Sequence, residues 1–141
     1  MITEHFSLAE LTVTSRVDLG NIPDSVAIAT LHRLAALLEE VRSLLGDTEI
    51  IVSSAFRSAK VNKAFGGKSN SQHLFGAAAD FHVKGMSPDE IVRKIVNSNI
   101  KYDQIIREFD RWTHISVPNS PNGTHRYSKL VIDKAGVRNF V

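Results

Sequence analysis

The sequence predicts an α+β fold, a small antiparallel sheet packed with helices, and places it in a single domain over residues 1–141. Three observations carry this. Leu31, Leu34, Leu38, Val41 and Leu45 recur at helical spacing. The runs Tyr102–Glu108 and Trp112–Val117 are rich in strand-forming residues and close enough together to make a hairpin. Helical and extended segments are mixed without regular alternation, as expected where strand pairs are joined by short turns.

Ser7-Leu8-Ala9-Glu10 has the form of a capping box, in which hydroxyl and carboxylate satisfy each other's free backbone donors, so a short helix starts there. Thr12-Val13-Thr14 favours extended chain and ends it by Thr14. The main core helix runs from about Asp24 to Leu45, with Gly46 as its stop and the leucine stripe as its packing face. Glu49-Ile50-Ile51-Val52-Ser53 reads as a buried strand by its β-branched run. A short helix is expected from Arg57 to Phe65, closed by Gly66-Gly67 and followed by the polar loop Lys68–Gln72. Ala77 to Val83 reads as a strand on which Asp80 and His82 share a face. Ser87-Pro88-Asp89-Glu90 opens another helix, to about Asn97, with Ser87 as cap, Pro88 in the first helical position and Glu90 completing the box. After the hairpin, Pro118–Thr124 is turn-rich, and Leu130-Val131-Ile132 is expected to add a last edge strand.

Composition narrows the function. A formal charge of +2 is far short of the dense basic patch of a dedicated nucleic-acid binder, so no nucleic-acid partner is expected. With no cysteine, thiolate metal sites, disulfides and a Cys nucleophile are excluded, and a metal site must use His, Asp or Glu. No run of about 18 apolar residues occurs, so membrane insertion is not expected. The opening Met1–Ser7 carries an acid and a histidine where an export signal has basic residues and an apolar core, so synthesis in the cytoplasm is expected. Arg126, Lys129, Lys134 and Arg138 form a loosely basic tail that suits an anionic surface or simply solvent.

Three side chains far apart in the chain carry the chemistry: His73 in a polar loop, Asp80 on a small-residue strand and His114 on a distant strand. Imidazole nitrogen and carboxylate oxygen suit zinc, and three protein ligands leave a fourth position for water, as in catalytic rather than structural sites. Spacing alone leaves open whether Asp80 or His82 is the ligand.

The ordered set Ser54-Ala55-Phe56-Arg57-Ser58, Val61-Asn62, Gly66-Gly67, Ser71-Gln72-His73-x-x-Gly76-x-Ala78-x-Asp80, Tyr102-Asp103-Gln104-Ile105-Ile106 and Trp112-x-His114-x-Ser116 resembles the zinc D-alanyl-D-alanine carboxypeptidase family. The likeness extends to the family's phage-encoded branch of peptidoglycan endopeptidases, whose lead-in is similar to His5-Phe6-Ser7-x-x-Glu10-Leu11. The resemblance runs from about His5 to Val117. It implies a hedgehog/DD-peptidase-like fold and a monomeric zinc peptidase acting on peptidoglycan stem peptides, with phage or prophage lysis as the setting and release to the wall through a separate membrane lesion. It also implies His73, Asp80 and His114 as the zinc ligands, with His82 a neighbour, and Arg57 as the group that holds substrate near the metal. A planar guanidinium suits that task, because it grips carboxylates and carbonyls with paired donors. Ser71 and Gln72 are weaker candidates for substrate contacts, and Trp112 for a wall of the metal pocket.

Amide hydrolysis also needs a proton carrier, usually a carboxylate. In several relatives an acid lies three residues before the last zinc-binding histidine, where this chain has Arg111. The nearby acids are Glu108 and Asp110, and hairpin parity weighs them. If Glu108 pairs with Trp112, the loop is Phe109-Asp110-Arg111, and Glu108, Trp112 and His114 share one face. If Asp110-Arg111 forms a two-residue turn, Glu108 pairs with Thr113 and points away. Asp-Arg fits the tight turn poorly, and the phage-encoded branch is similar around Ile106-Arg107-Glu108 with an acid at the end of that strand, so Glu108 is taken as the general base, with Asp110 second. The displaced acid also raises an alternative, a non-catalytic wall-binding module of the same fold, and a metal-free phage structural domain is a further alternative that leaves the His-Asp-His set without a reason.

Overall fold

Asp24 starts the longest helix by accepting a hydrogen bond from the Ala27 amide, and Gly46, at φ 82°, carries the chain away from its end. The computed structural model describes residues 1–141. Its helices are α1 (Leu8–Leu11), α2 (Ser25–Leu44), α3 (Ala59–Ala64) and α4 (Pro88–Val96). Its strands are β1 (Ile51–Ser54), β2 (Ala78–His82), β3 (Gln104–Glu108), β4 (Trp112–Ser116), β5 (Ser128–Asp133) and β6 (Gly136–Asn139). The capping boxes at Ser7 and Ser87 both form.

The six strands make one sheet in the order β1-β2-β4-β3-β5-β6. Every pair is antiparallel except β3 with β5, which is parallel, so the sheet is mixed within the α+β class. The parallel pair arises because the chain crosses from β4 through Pro118–Tyr127 before returning beside β3.

Strand alternation sorts the core from the chemistry. Ala79, Phe81, Ile105 and Ile115 lie on one face of the sheet and join Leu31, Leu34, Leu38, Val41, Ile91 and Ile95 in a core cluster of 24 buried residues. Each large apolar side chain removed from water there contributes about 1.5–3 kcal/mol. Asp80, His114, Ile106 and Glu108 lie on the opposite face, in register across β2, β4 and β3.

Two strand expectations need correcting. β1 is an edge strand, not a buried one: Ile51 is 37% exposed, and only Ile50 before it is buried. A β-branched run specifies extended chain but not its place in the sheet. Leu130–Ile132 lies in β5, which is not the edge, because β6 pairs with it from Leu130↔Asn139 to Asp133↔Gly136. All four residues of β6 are exposed, so it lacks the buried apolar alternation that marks a strand in sequence.

Gly76 seats the turn that carries His73. It closes the 3-10 turn Gln72–Phe75 in the left-handed region, at φ 71°. A Cβ there would lie 2.9 Å from the Ala27 carbonyl oxygen and 3.1 Å from Leu31 Cγ, both on α2. Gly76→Ala therefore combines backbone strain with a clash against helix backbone, and is expected to destabilise the fold by about 1–3 kcal/mol, read by urea denaturation.

Candidate metal centre

The centre is assembled from one turn and two paired strands. The Ser71 hydroxyl accepts from the His73 amide at 3.2 Å, and the His73 carbonyl accepts from the Arg57 amide at 3.0 Å, which fixes the turn against the start of α3. His73 Nδ1 lies 2.7 Å from the Ala55 carbonyl oxygen. A carbonyl can only accept, so Nδ1 carries the proton and Nε2 presents a lone pair, the arrangement usual for a metal-binding histidine.

Asp80 and His114 are direct partners in the β2–β4 register. His114 Nδ1 is 2.9 Å from Asp80 Oδ1, and His73 Nε2 is 3.4 Å from Asp80 Oδ2. The two imidazole centroids are 5.3 Å apart with a 67° interplanar angle. One donor atom from each of the three residues lies within 4.8 Å of the others, and all three residues are buried. Zinc bonds of about 2.0–2.2 Å in tetrahedral array put neighbouring donors roughly 3.3 Å apart, so this set fits zinc with small adjustments. Burial pushes the Asp80 carboxyl up, but hydrogen bonds and charge from His114 and His73 outweigh it and hold the group well below the ordinary carboxylate range.

Arg57 reaches the same carboxylate. Its guanidinium lies 3.4 Å from Asp80 Oδ2 and donates from Nε to the Ser54 hydroxyl at 3.0 Å. Ser54 is the β1 partner of Asp80 across a register shift that follows Val52. Arg57 is thus anchored at one end and turned toward the cluster at the other.

Glu108 pairs with Trp112, the loop is Phe109-Asp110-Arg111, and Glu108 shares a face with His114 and Asp80. The longer of the two weighed loops therefore forms. Phe109 and Asp110 both take positive φ, 53° and 52°, without the glycine such a loop favours. Burial and the Asp80 charge push the Glu108 carboxyl above its ordinary value, only partly offset by His114, Trp112 and Arg57. The Trp112 indole N–H turns its positive end toward Glu108 without closing a full hydrogen bond. Asp110 is exposed at the hairpin tip and ion-paired with Arg107, while His82 is exposed and stands outside the three-residue cluster.

A second network engages Gln72, named above as a candidate for substrate contact, within the protein itself. The Gln72 amide donates to Asp103 Oδ2, the Val117 carbonyl and Asn119 Oδ1. Buried Asp103 also accepts from the Arg126 backbone and guanidinium, at 2.7 Å for the shortest contact. Burial raises the Asp103 carboxyl, and Arg126 more than reverses this, holding it below the usual range. Arg126 and Arg138 are thus neutralised by Asp103 and Asp133, so half of the expected basic tail is already paired. The Tyr102-Asp103-Gln104 motif was visible in sequence, but its partners lie 23 and 31 residues away.

The family pattern described as peptidase M15 matches residues 4–116 of this chain. The curated zinc D-Ala-D-Ala carboxypeptidase of Streptomyces albus G is 41% identical over 58 residues. That match takes in 40% of this chain and spans 23% of the relative's length.

Proposed function

The chain belongs to the peptidase M15 family, and from that premise we propose that it is a zinc-dependent peptidase that hydrolyses an amide bond in the peptide part of bacterial peptidoglycan. The observation that carries this reading is the buried His73–Asp80–His114 cluster, whose donor atoms converge within 4.8 Å on the sheet face opposite the core. Zinc held by these three side chains supplies a Lewis acid that acidifies water and polarises a carbonyl. Glu108 accepts the proton of the attacking water at its carboxylate and delivers it to the departing amide nitrogen. Its place on the sheet face shared with His114 and Asp80 suits that task. Arg57 holds the substrate through its paired donors, and the Asp80 and Ser54 contacts preset its direction. The wall of a lysing host is the proposed setting, supported by the similarity of the N-terminal lead-in to the phage-encoded branch; its His5 is anchored to Glu39 at 2.7 Å and its Ser7 and Glu10 form the capping box.

Mass spectrometry of muropeptides after digestion of purified wall tests the reading. New amine ends that appear with zinc-loaded protein and vanish with chelator are the expected result, and the fragments identify the bond. Wall binding without new amines would replace the enzyme with a recognition module.

A further inference from the structure

We propose that the cleft beside Trp112 is a subsite for a carboxylate-bearing segment of the substrate peptide, with Arg111 and Lys134 as its anion-binding groups. The proposal rests on the peptidase reading and names a substrate feature that reading leaves open. The cleft holds about 630 Å³ and lies between the tips of two hairpins, Phe109–Trp112 from β3–β4 and Asp133–Ala135 from β5–β6. Trp112 lines it and stands opposite Glu108 in the hairpin register, two positions before His114, so one lining residue shares a sheet face with the metal centre.

Charge pairing decides what the cleft can take. It is lined by two acids and two bases, which would cancel if all were free. Both acids are already engaged: Asp110 with Arg107, and Asp133 with Arg138 through two contacts of 2.8 and 2.9 Å. Arg111 and Lys134 are exposed and make no side-chain hydrogen bond or ion pair, because the arginines that neutralise the acids stand outside the cleft. The available charge is therefore positive. The tilted Phe109–Trp112 ring pair, with centroids 5.8 Å apart, offers an apolar wall beside it. A carboxylate next to aliphatic or peptide carbon fits both features, since a guanidinium grips the anion while the rings cover the carbon. In a stem peptide the carboxylate comes either from an acidic side chain or from a free C-terminus.

Trp112 is the chain's one tryptophan, so its fluorescence reports occupancy of the cleft independently of turnover. The probe is an Ala–D-Glu–Lys tripeptide with both carboxylates free, alongside forms amidated at D-Glu or at the C-terminus, titrated into zinc-loaded protein. Saturable quenching by the free tripeptide is expected, with Kd weakened about tenfold by Arg111→Glu, and by Lys134→Glu in the same direction. Whichever amidation produces the same loss in the unsubstituted protein identifies the carboxylate, and Arg111→Glu then adds little to it. In hydrolysis assays KM should rise while kcat and zinc content stay within twofold.

A Kd unchanged by both substitutions, no saturable quenching by the free tripeptide, or equal weakening by Arg111→Glu for the free and fully amidated peptides would overturn the subsite. Carboxylate-dependent quenching without release of amines from the wall would instead retain the subsite and remove the peptidase reading. Melting curves of the exposed-site variants exclude unfolding as the cause of a lost signal.

Discussion

His73→Ala is expected to lose stoichiometric zinc and, with it, hydrolysis of the wall. The side chain supplies the one donor that comes from outside the β2–β4 pair. Without it, two donors remain, already 2.9 Å apart and satisfied by each other. Loss of a group that merely orients a metal ligand costs about 10–100-fold in affinity or activity, so loss of a ligand should exceed about 100-fold. The substitution also strips the Ala55 carbonyl of its donor, at about 1–3 kcal/mol, so Asp80→Asn serves as a second variant that keeps side-chain volume. Elemental analysis and amine release are the measurements. One zinc per chain with near-normal turnover in both variants would dismantle the centre.

Glu108→Gln is expected to behave oppositely with respect to metal: full zinc content, and turnover reduced by about 10²–10⁴-fold. Full turnover in this variant would move the proton carrier to Asp110 or elsewhere. A pH signature separates a buried carboxylate from a solvated one. In the metal-free chain Glu108 has a folded pKa above its ordinary 4.5, so folding favours its protonated form. That contribution is complete below about pH 4.5 and is lost as pH rises through the folded value. At pH 7 metal-free Glu108→Gln should therefore be more stable than the unsubstituted protein, and the gap should close as pH falls toward 4. Urea denaturation at the two pH values reads both the sign and the closure.

What the sequence revealed about the fold was mostly local. Asp24 and Gly46 bound α2, and Ser87-Pro88-Asp89-Glu90 opens α4, because capping is settled by neighbours a turn away. The length of the Glu108–Trp112 loop was legible from turn chemistry, since Asp-Arg suits a tight turn badly. The parallel β3–β5 pairing and strand β6 were not, because register between distant segments leaves no periodic trace and β6 has no buried residue. The same distinction holds at the site. Residue types and spacing left Asp80 and His82 as rivals, and the family resemblance pointed to His73, Asp80 and His114. The proton on His73 Nδ1, the engagement of Arg57 with Asp80 and the Gln72–Asp103–Arg126 network all depend on partners 18 to 54 residues away.

The β2–β4 pairing that brings Asp80 to His114 spans 34 residues and lies inside the sheet, between β1 and β3. Contacts of that separation require a long loop to be closed before any reward arrives. A polypeptide stalled before its 114th residue consequently lacks one of the three donors. Assembly of the three-donor set is thereby tied to completion of the chain through β4.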